Sequence, residues 1–433
     1  MLTRIGVRNF RTHLDTTINL GPVTLLIGPN SSGKTNLLRA LNSFAYIGRL
    51  ARPYYQFKGG RSLLNSFMRN RSRFSPVERP IAFSCEWQDD QQLVCYEISI
   101  SGHSMSSTPP QCAEKIVVKT RVGETFERDE TNGGVLLAEH ISRNENVSNT
   151  VKETLGVFFR DLGSSFFYHF EPSQLRNEGR IAGLVDEDEK RIAAAEEEVS
   201  GADPTDAPQR FNIYQELRAN GSGLIGVLSH IKKTDARMYE RFRFLMESFD
   251  PYFRDFKETS NRSGEEFTSF SFKAKGSPGG HDFSLSTLPD GFLRACAISV
   301  LCSLSRPPSR ILLEELENGL DIVRLELITR WLKQAADPST FRRHASQFII
   351  SSHSPIVLRT FAEDLHRVYQ IRFDRNRSQS VALNLADYLR MQIDAGVVNG
   401  TLVDGLPKVN ADTLVRLWMN RRIGGETPAD EDM

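Results

Sequence analysis

The sequence predicts an α/β fold in which a mixed sheet surrounds a glycine-rich loop, with an antiparallel β-subdomain and a helical insertion. Three observations predict it. First, GPNSSGKT at residues 28–35 follows the short apolar run PVTLLIG and opens SGKTNLLRALNSFAYI, whose apolar residues recur at helical spacing. Second, RILLEE and SQFIISS read as fully buried parallel strands joined by the amphipathic stretch DIVRLELITRWLKQAA. Third, RPIAFSCEWQDDQQLVCYEISIS holds two alternating runs about the turn-like QDDQQ, the pattern of an antiparallel hairpin.

The remaining elements follow in order. LTRIGVRNF at 2–10 alternates Leu2, Ile5 and Val7 with polar residues and reads as a strand. Residues 103–150 are polar and carry no clear period. TLGVFFRDLGSSFFYHF reads as helix, turn and buried strand. Residues 178–208 are acidic, alanine-rich and poor in large apolar residues, which predicts a mobile insertion with an exposed helix. Helices broken by ANGSG come next, then FTSFSFKAK as a strand and residues 288–305 as a helix. These elements divide the chain into 1–176 and 281–385 as two parts of one head, 177–280 as the helical insertion, and 386–433 as a C-terminal helical extension with a disordered acidic tail. No long heptad run is present, so no long coiled coil is expected.

Composition limits the function classes. The chain has 433 residues, 39% hydrophobic and 25% charged, the balance of a soluble globular protein. Lys+Arg and Asp+Glu are both 54, so net charge gives no sign of a nucleic-acid partner. The five cysteines form no CxxC pair and read as reduced structural thiols. No apolar run approaches the ~18 residues of a membrane span, and MLTRIGVRNFRTHL lacks the apolar centre of a signal peptide. A cytoplasmic protein is expected.

GPNSSGKT fits G-x-x-x-x-G-K-[ST] in full. Such a loop curls so that successive backbone N–H groups point at a β-phosphate. Gly28 and Gly33 supply the backbone freedom, and the following helix presents its N-terminus to the same anion. Asn30, Ser31, Ser32, Gly33, Lys34, Thr35 and Asn36 are therefore the candidate nucleotide-binding residues. Lys34 bridges β- and γ-phosphates and Thr35 holds Mg²⁺ in this scheme. A second metal anchor must come from an acid at the end of a neighbouring buried strand. Glu314-Glu315 in ILLEE supplies it, although read alone the pair fits a solvated strand end better. Placed after this loop and before FIISSHSP, Glu314 becomes the metal acid, Glu315 the group that polarises the attacking water, and His353 the sensor of the γ-phosphate.

The stretches IGVRNFR, PVTLLIGPNSSGKTNLLRAL, LPDGFLR, ILLEELENGLD and FIISSHSP resemble the ATPase heads of the ABC type found in RecF, SMC-like and OLD-family proteins. The resemblance is greatest to compact bacterial AAA-family ATPases of the OLD/RecF-like group, many of which act in anti-phage defence with a nuclease, as in Septu-like or PARIS-like systems. It implies ATP and Mg²⁺ as cofactors. It places Pro289, Asp290 and Gly291 in the motif that contacts the γ-phosphate held by a second copy, so that ATP is sandwiched in a homodimer or higher oligomer. ENGLD at 317–321 then crosses the same interface, Arg11 reaches the nucleotide, and Glu171 occupies a slot that usually holds glutamine. Two residues depart from the pattern: Glu314 stands where many relatives have Asp, and Pro289 where Ser is usual.

Between Asp15 and Glu78 there is no acid, and the stretch 39–73 interleaves Arg39, Arg49, Arg52, Lys58, Arg61, Arg69, Arg71 and Arg73 with aromatics. That pattern suits phosphate contacts and base stacking, as well as a solvated basic face. No acid cluster of a fused nuclease follows His353. The expected function is thus an ATP hydrolase that dimerises around ATP and controls a separate effector, such as a nuclease, in anti-phage defence. The rivals are a RecF-like DNA repair ATPase and an ATPase scaffold that holds a toxin inactive.

Overall fold

The computed structural model describes residues 1–50, 69–72, 79–102, 111–132, 141, 144, 146–177, 217–260, 266–274, 277–339 and 345–423. The chain begins with strands β1 (Leu2–Phe10), β2 (His13–Asn19) and β3 (Val23–Ile27) and helix α1 (Lys34–Leu50). Strands β4 (Ile81–Gln88), β5 (Leu93–Ser101), β6 (Gln111–Lys119) and β7 (Thr125–Asn132) follow, then α2 (Asn149–Gly163), β8 (Ser165–Tyr168) and the single turn α3 (Pro172–Leu175). Next come α4 (Leu224–Thr234), α5 (Ala236–Phe249), β9 (Phe253–Ser260), β10 (Glu266–Ala274), β11 (Ser277–Ser284) and α6 (Asp290–Ser303). The last part holds β12 (Arg310–Leu313), α7 (Ile322–Ala336), β13 (Gln347–Ser352), α8 (Pro355–Arg359), β14 (Val368–Asp374), β15 (Gln379–Asn384), α9 (Leu385–Asp394), β16 (Thr401–Val403), β17 (Leu406–Lys408) and α10 (Ala411–Met419).

A six-stranded mixed sheet in the order β15-β14-β3-β13-β12-β8 forms the centre. Its strands run parallel from β14 to β8, and only β15 is antiparallel. Burial on both faces explains the unbroken apolar runs. Leu25, Ile27, Ile311, Leu313, Phe348 and Ile350 face a core shared with α6 and α7. Leu26, Leu312 and Ile349 face the other core, with Leu37, Leu38, Leu41 and Phe44 of α1. That second core is closed by an antiparallel six-stranded sheet, β2-β1-β4-β5-β6-β7. Because β3, β8, β12 and β13 are parallel and in register, the loops that leave their carboxyl ends emerge along one edge, where α/β sheets bind ligands.

The predicted parallel pair is present as β12 and β13, and the hairpin as β4 and β5. Three expectations change. The unassigned 103–150 region contains β6 and β7, where buried Glu114, bonded to the Tyr96 hydroxyl, interrupts the apolar alternation of β6. The 177–280 segment carries α4, α5 and the expected strand FTSFSFKAK as β10, but two unexpected strands flank it in the antiparallel sheet β11-β10-β9, FRDFKETS and SPGGHDFS, which lack a clean alternation. The C-terminal extension is not purely helical, because the Asp404-Gly405 turn, with positive φ of 52° and 75°, folds β16 onto β17. The acidic 178–208 segment and the acidic tail lie outside the described residues. Among the described residues no helix is long and apolar enough to cross a membrane.

Candidate active site

The loop after β3 is built for close approach. Gly28 and Gly33 have φ of 153° and 109°, and an added Cβ would meet Ile371 O at 2.1 Å and Ser380 Oγ at 2.2 Å. Neighbouring elements clamp the loop from outside. Ser380 Oγ donates to Ser32 O (2.6 Å), and His13 Nε2 lies 2.9 Å from Gly33 O. His13 is fully buried, and that burial brings its pKa down to about 4. It is thus neutral at physiological pH, and Nε2–H donates to the Gly33 carbonyl. Ser31 holds φ 60°, and Asn30 is exposed beside it. The Ser32 hydroxyl is buried with no hydrogen-bond partner among the described residues, an orphan polar atom inside the cradle.

Lys34 opens α1 and turns back over the loop, donating from Nζ to Gly28 O (2.9 Å) and Pro29 O (2.8 Å). Burial lowers its pKa to about 8, against the raising pull of Glu317, Glu315 and Glu314. The next residue, Thr35, donates its hydroxyl to Glu314 Oε1. Asn36 accepts from Arg11 Nη1 at 3.3 Å and donates to Thr12 Oγ1 at 3.0 Å. Arg11, itself at φ 50°, also grips Asn70 Oδ1 through Nε and Nη2. It therefore lies over the first turn of α1.

The acid pair ends β12 as expected. Glu314 is buried, and its Oε2 lies 3.2 Å from His169 Nδ1 at the end of β8, at an angle poor for a linear hydrogen bond. Burial opposes the charge on Glu314, but the contacts with His169 and Thr35 outweigh it and hold the carboxyl below its usual range. The same pairing raises the His169 pKa, against burial. Glu315 adopts φ 50°, its N–H donates to Ser351 Oγ (3.2 Å), and its Oε2 accepts from Asn318 Nδ2 (2.6 Å). Of the seven described non-glycine residues at positive φ, four are Asn9, Arg11, Ser31 and Glu315. Strain of about 1–3 kcal/mol per residue persists only where the surroundings enforce it, and it concentrates at functional sites.

His353 follows β13. Its Nδ1 lies 3.0 Å from Gly28 O and 3.3 Å from Lys34 Nζ. Burial, then the Lys34 charge, lowers its pKa and favours the neutral ring. Nδ1 is thus engaged with the Gly28 carbonyl.

Three side chains that sequence reasoning missed hold this arrangement. His169 is one, and Glu317, which accepts the His353 N–H through Oε1, is the second. The third is Arg294 in α6, only 5% exposed, which donates to Phe170 O (3.1 Å), Glu314 O (3.0 Å) and Glu315 O. Burial lowers its pKa to about 10, so it stays charged at neutral pH. An Arg inside the apolar run GFLRACAISVLC is a readable signal, because a cation there requires internal partners. Replacing Arg294 with Leu strands three carbonyls and is expected to destabilise the protein by about 3 kcal/mol, read by denaturant unfolding.

The structure does not bring every predicted residue together. Glu171 is exposed at the N-cap position of α3 and makes no side-chain cap bond, while His169, two residues earlier, meets Glu314. Pro289 and Asp290 are exposed at the start of α6, and Arg176 holds that end through Asp290 Oδ1 (2.5 Å) and Leu288 O (2.7 Å). A Cβ on Gly291 would meet Gly319 O at 2.1 Å, so the ENGLD turn packs directly on this helix start. Gly291→Ala is expected to force the two apart and to lower the melting temperature by several degrees, an effect of about 1–3 kcal/mol. Within the basic stretch, Arg49 serves the fold: it donates to Gly163 O (2.9 Å) and Ser165 O (2.6 Å) and lies over the rings of Tyr46 and Phe166. Residues 51–68 and 73–78 of that region lie outside the described residues.

A family model described as "AAA domain, putative AbiEii toxin, Type IV TA system" matches residues 125–359, more than half of the chain. A second, described as "AAA ATPase domain", matches residues 1–117. The OLD nuclease of Thermus scotoductus is 50% identical over 42 residues, which cover 10% of this chain and 8% of that protein. Two solved structures are also similar. The Smc head domain of Pyrococcus furiosus, bound to the C-terminal domain of ScpA, has a TM-score of 0.43 and 10% identity, covering 92% of this chain and 99% of that one. The Smc head domain of Pyrococcus yayanosii with a coiled coil and joint has a TM-score of 0.44 and 11% identity, covering 91% and 99%.

Proposed function

This chain belongs to the AAA-domain family and is an ATP hydrolase, and from that premise we propose that it closes as a dimer around ATP and opens on hydrolysis, with the work divided among the residues at the carboxyl edge of the mixed sheet. One observation supports this division above others: the ends of β3, β12 and β13 put Lys34, Thr35, Glu314, Glu315 and His353 in mutual contact or one residue apart. The loop N–H groups and Lys34 bind the phosphates. Thr35 Oγ1 and the charged Glu314 are hard oxygen donors already in contact, a pair that fits Mg²⁺ better than a soft metal. Thr35 and Glu314 would hold such an ion, leaving its other positions to phosphate and water oxygens. When bound, the ion neutralises charge on the phosphate oxygens.

Glu315, oriented by Asn318, takes the proton of the attacking water. His353, with Nδ1 engaged, meets the γ-phosphate through Nε2. Pro289, Asp290 and Gly291 reach the nucleotide of the second copy. Because Pro289 has no N–H to donate, that contact rests on Gly291 N–H and the helix start. Glu314→Gln is expected to raise the Mg²⁺ concentration for half-maximal turnover about tenfold or more, read by a Mg²⁺ titration at saturating ATP. An unchanged titration would remove Glu314 from the metal.

The closed dimer, in this proposal, controls a separately encoded effector in anti-phage defence. The short match to an OLD nuclease supports a nuclease as that effector. The family description favours a second reading, in which the chain is one component of a toxin–antitoxin pair. A pull-down from native cells with mass measurement of the complex separates them. A co-purifying nuclease supports the first reading, and a toxin or antitoxin the second. DNA-stimulated ATPase activity with no tightly bound partner supports a repair role instead.

A further inference from the structure

The third glutamate of ILLEELENGLD takes no part in the chemistry proposed above. Glu317 Oε1 accepts the backbone N–H of His353, which fixes where the imidazole sits relative to Gly28 O and Lys34. Its Oε2 is buried with no hydrogen-bond partner among the described residues. The charges of Lys34 and Arg294 favour the carboxylate there, but an oxygen without a hydrogen-bond donor still carries a cost that calls for an explanation. Glu317 also belongs to the turn that meets α6. Its carbonyl accepts from Leu320 N (3.1 Å), and Gly319 in the same turn packs on Gly291. A single side chain therefore ties the turn at 317–321, and through it the start of α6, to the histidine on the neighbouring strand.

We propose that Glu317 is a positioning residue that sets His353, so that displacement of the 317–321 turn is transmitted to the γ-phosphate side of the site. The proposal rests on the reading of His353 given above. It assigns the turn an action within its own subunit: contact made on the Gly291–Gly319 surface moves Glu317, and Glu317 carries the His353 backbone with it. The path runs from Gly291 to Gly319, along the short turn that Leu320 N–H closes onto Glu317 O, through the Glu317 carboxylate to His353 N–H, and through His353 Nδ1 to Gly28 O.

The test is a double-mutant cycle on the full chain, with Glu317→Ala, Glu317→Asp and Glu317→Gln, and with Glu317→Ala combined with His353→Ala. Turnover is read by phosphate release, ATP affinity with a fluorescent ATP analogue, and folding by thermal melts. Glu317→Ala and Glu317→Asp are expected to lower kcat by roughly tenfold to a hundredfold, the scale of a misplacement near 1 Å, with ATP affinity within about threefold of the parent. Glu317→Asp keeps the charge but withdraws the acceptor by one methylene, so it decides the matter if Glu317→Ala does not fold. Glu317→Gln keeps an acceptor oxygen and is expected to retain kcat within about fivefold. In the His353→Ala background, Glu317→Ala is expected to change kcat by less than about twofold, the non-additivity of residues acting as one unit. Parental kcat in Glu317→Asp, or a full further loss in the His353→Ala background, would overturn the proposal. If His353→Ala alone keeps full turnover, the reading of His353 fails, and that result is distinct from an additive cycle.

Discussion

Glu315→Gln is expected to bind ATP with the affinity of the parent and to hydrolyse it about 100-fold more slowly or worse, the scale of a lost general base. The substitution keeps the volume and the bond from Asn318, because the amide oxygen can still accept at the position of Oε2. It removes only the carboxylate proposed to take a proton. Since Glu315 sits at φ 50° with its N–H on Ser351 and its carbonyl held by Arg294, the side chain cannot be replaced by a neighbour swinging into its place. Glu314 is buried and committed to Thr35 and His169. The variant should therefore trap a long-lived ATP complex, visible as retained nucleotide after gel filtration. Parental turnover would remove Glu315 as the base.

Lys34→Ala is expected to abolish nucleotide binding at micromolar ATP. Charge-assisted hydrogen bonds contribute about 1.5–3 kcal/mol each, so losing two phosphate contacts weakens affinity by ~100-fold or more. In the protein Lys34 is only 5% exposed and its pKa is brought down to about 8 by burial. A polyphosphate restores the charge stabilisation that burial removes, which makes this lysine a stronger ligand than one in water. Isothermal titration with ATP reads the loss directly. The fold should survive, because Gly28 O keeps its contact with His353 Nδ1 and Pro29 is only part-buried.

The part of the candidate site that local spacing controls was legible in the sequence. A phosphate loop must place glycines, lysine and threonine at fixed intervals, and buried parallel strands must be apolar throughout, so residues 28–35, 311–315 and 348–353 announced themselves. The supports depend on tertiary placement and were not legible in that way. His169 becomes a partner of Glu314 only because β8 is the neighbour of β12 in register. Glu317 matters because β13 lies beside β12, which no interval along the chain encodes. Strands β6, β7, β9 and β11 were hidden by polar or glycine residues at positions where neighbouring elements, and not side-chain alternation, decide pairing. Arg49 shows the converse error: charge in a basic run was read as a surface, and the guanidinium is spent on carbonyls and aromatic rings inside the fold.

The central claim, that ATP bound at this edge joins two copies, is tested most directly by the mass of Glu315→Gln with and without ATP and Mg²⁺, measured by light scattering on a size-exclusion column. The account expects the 48.9 kDa chain to double in mass with ATP, and Pro289→Ser to strengthen that shift by restoring an N–H donor. A variant that retains ATP yet stays at the mass of one chain would contradict it.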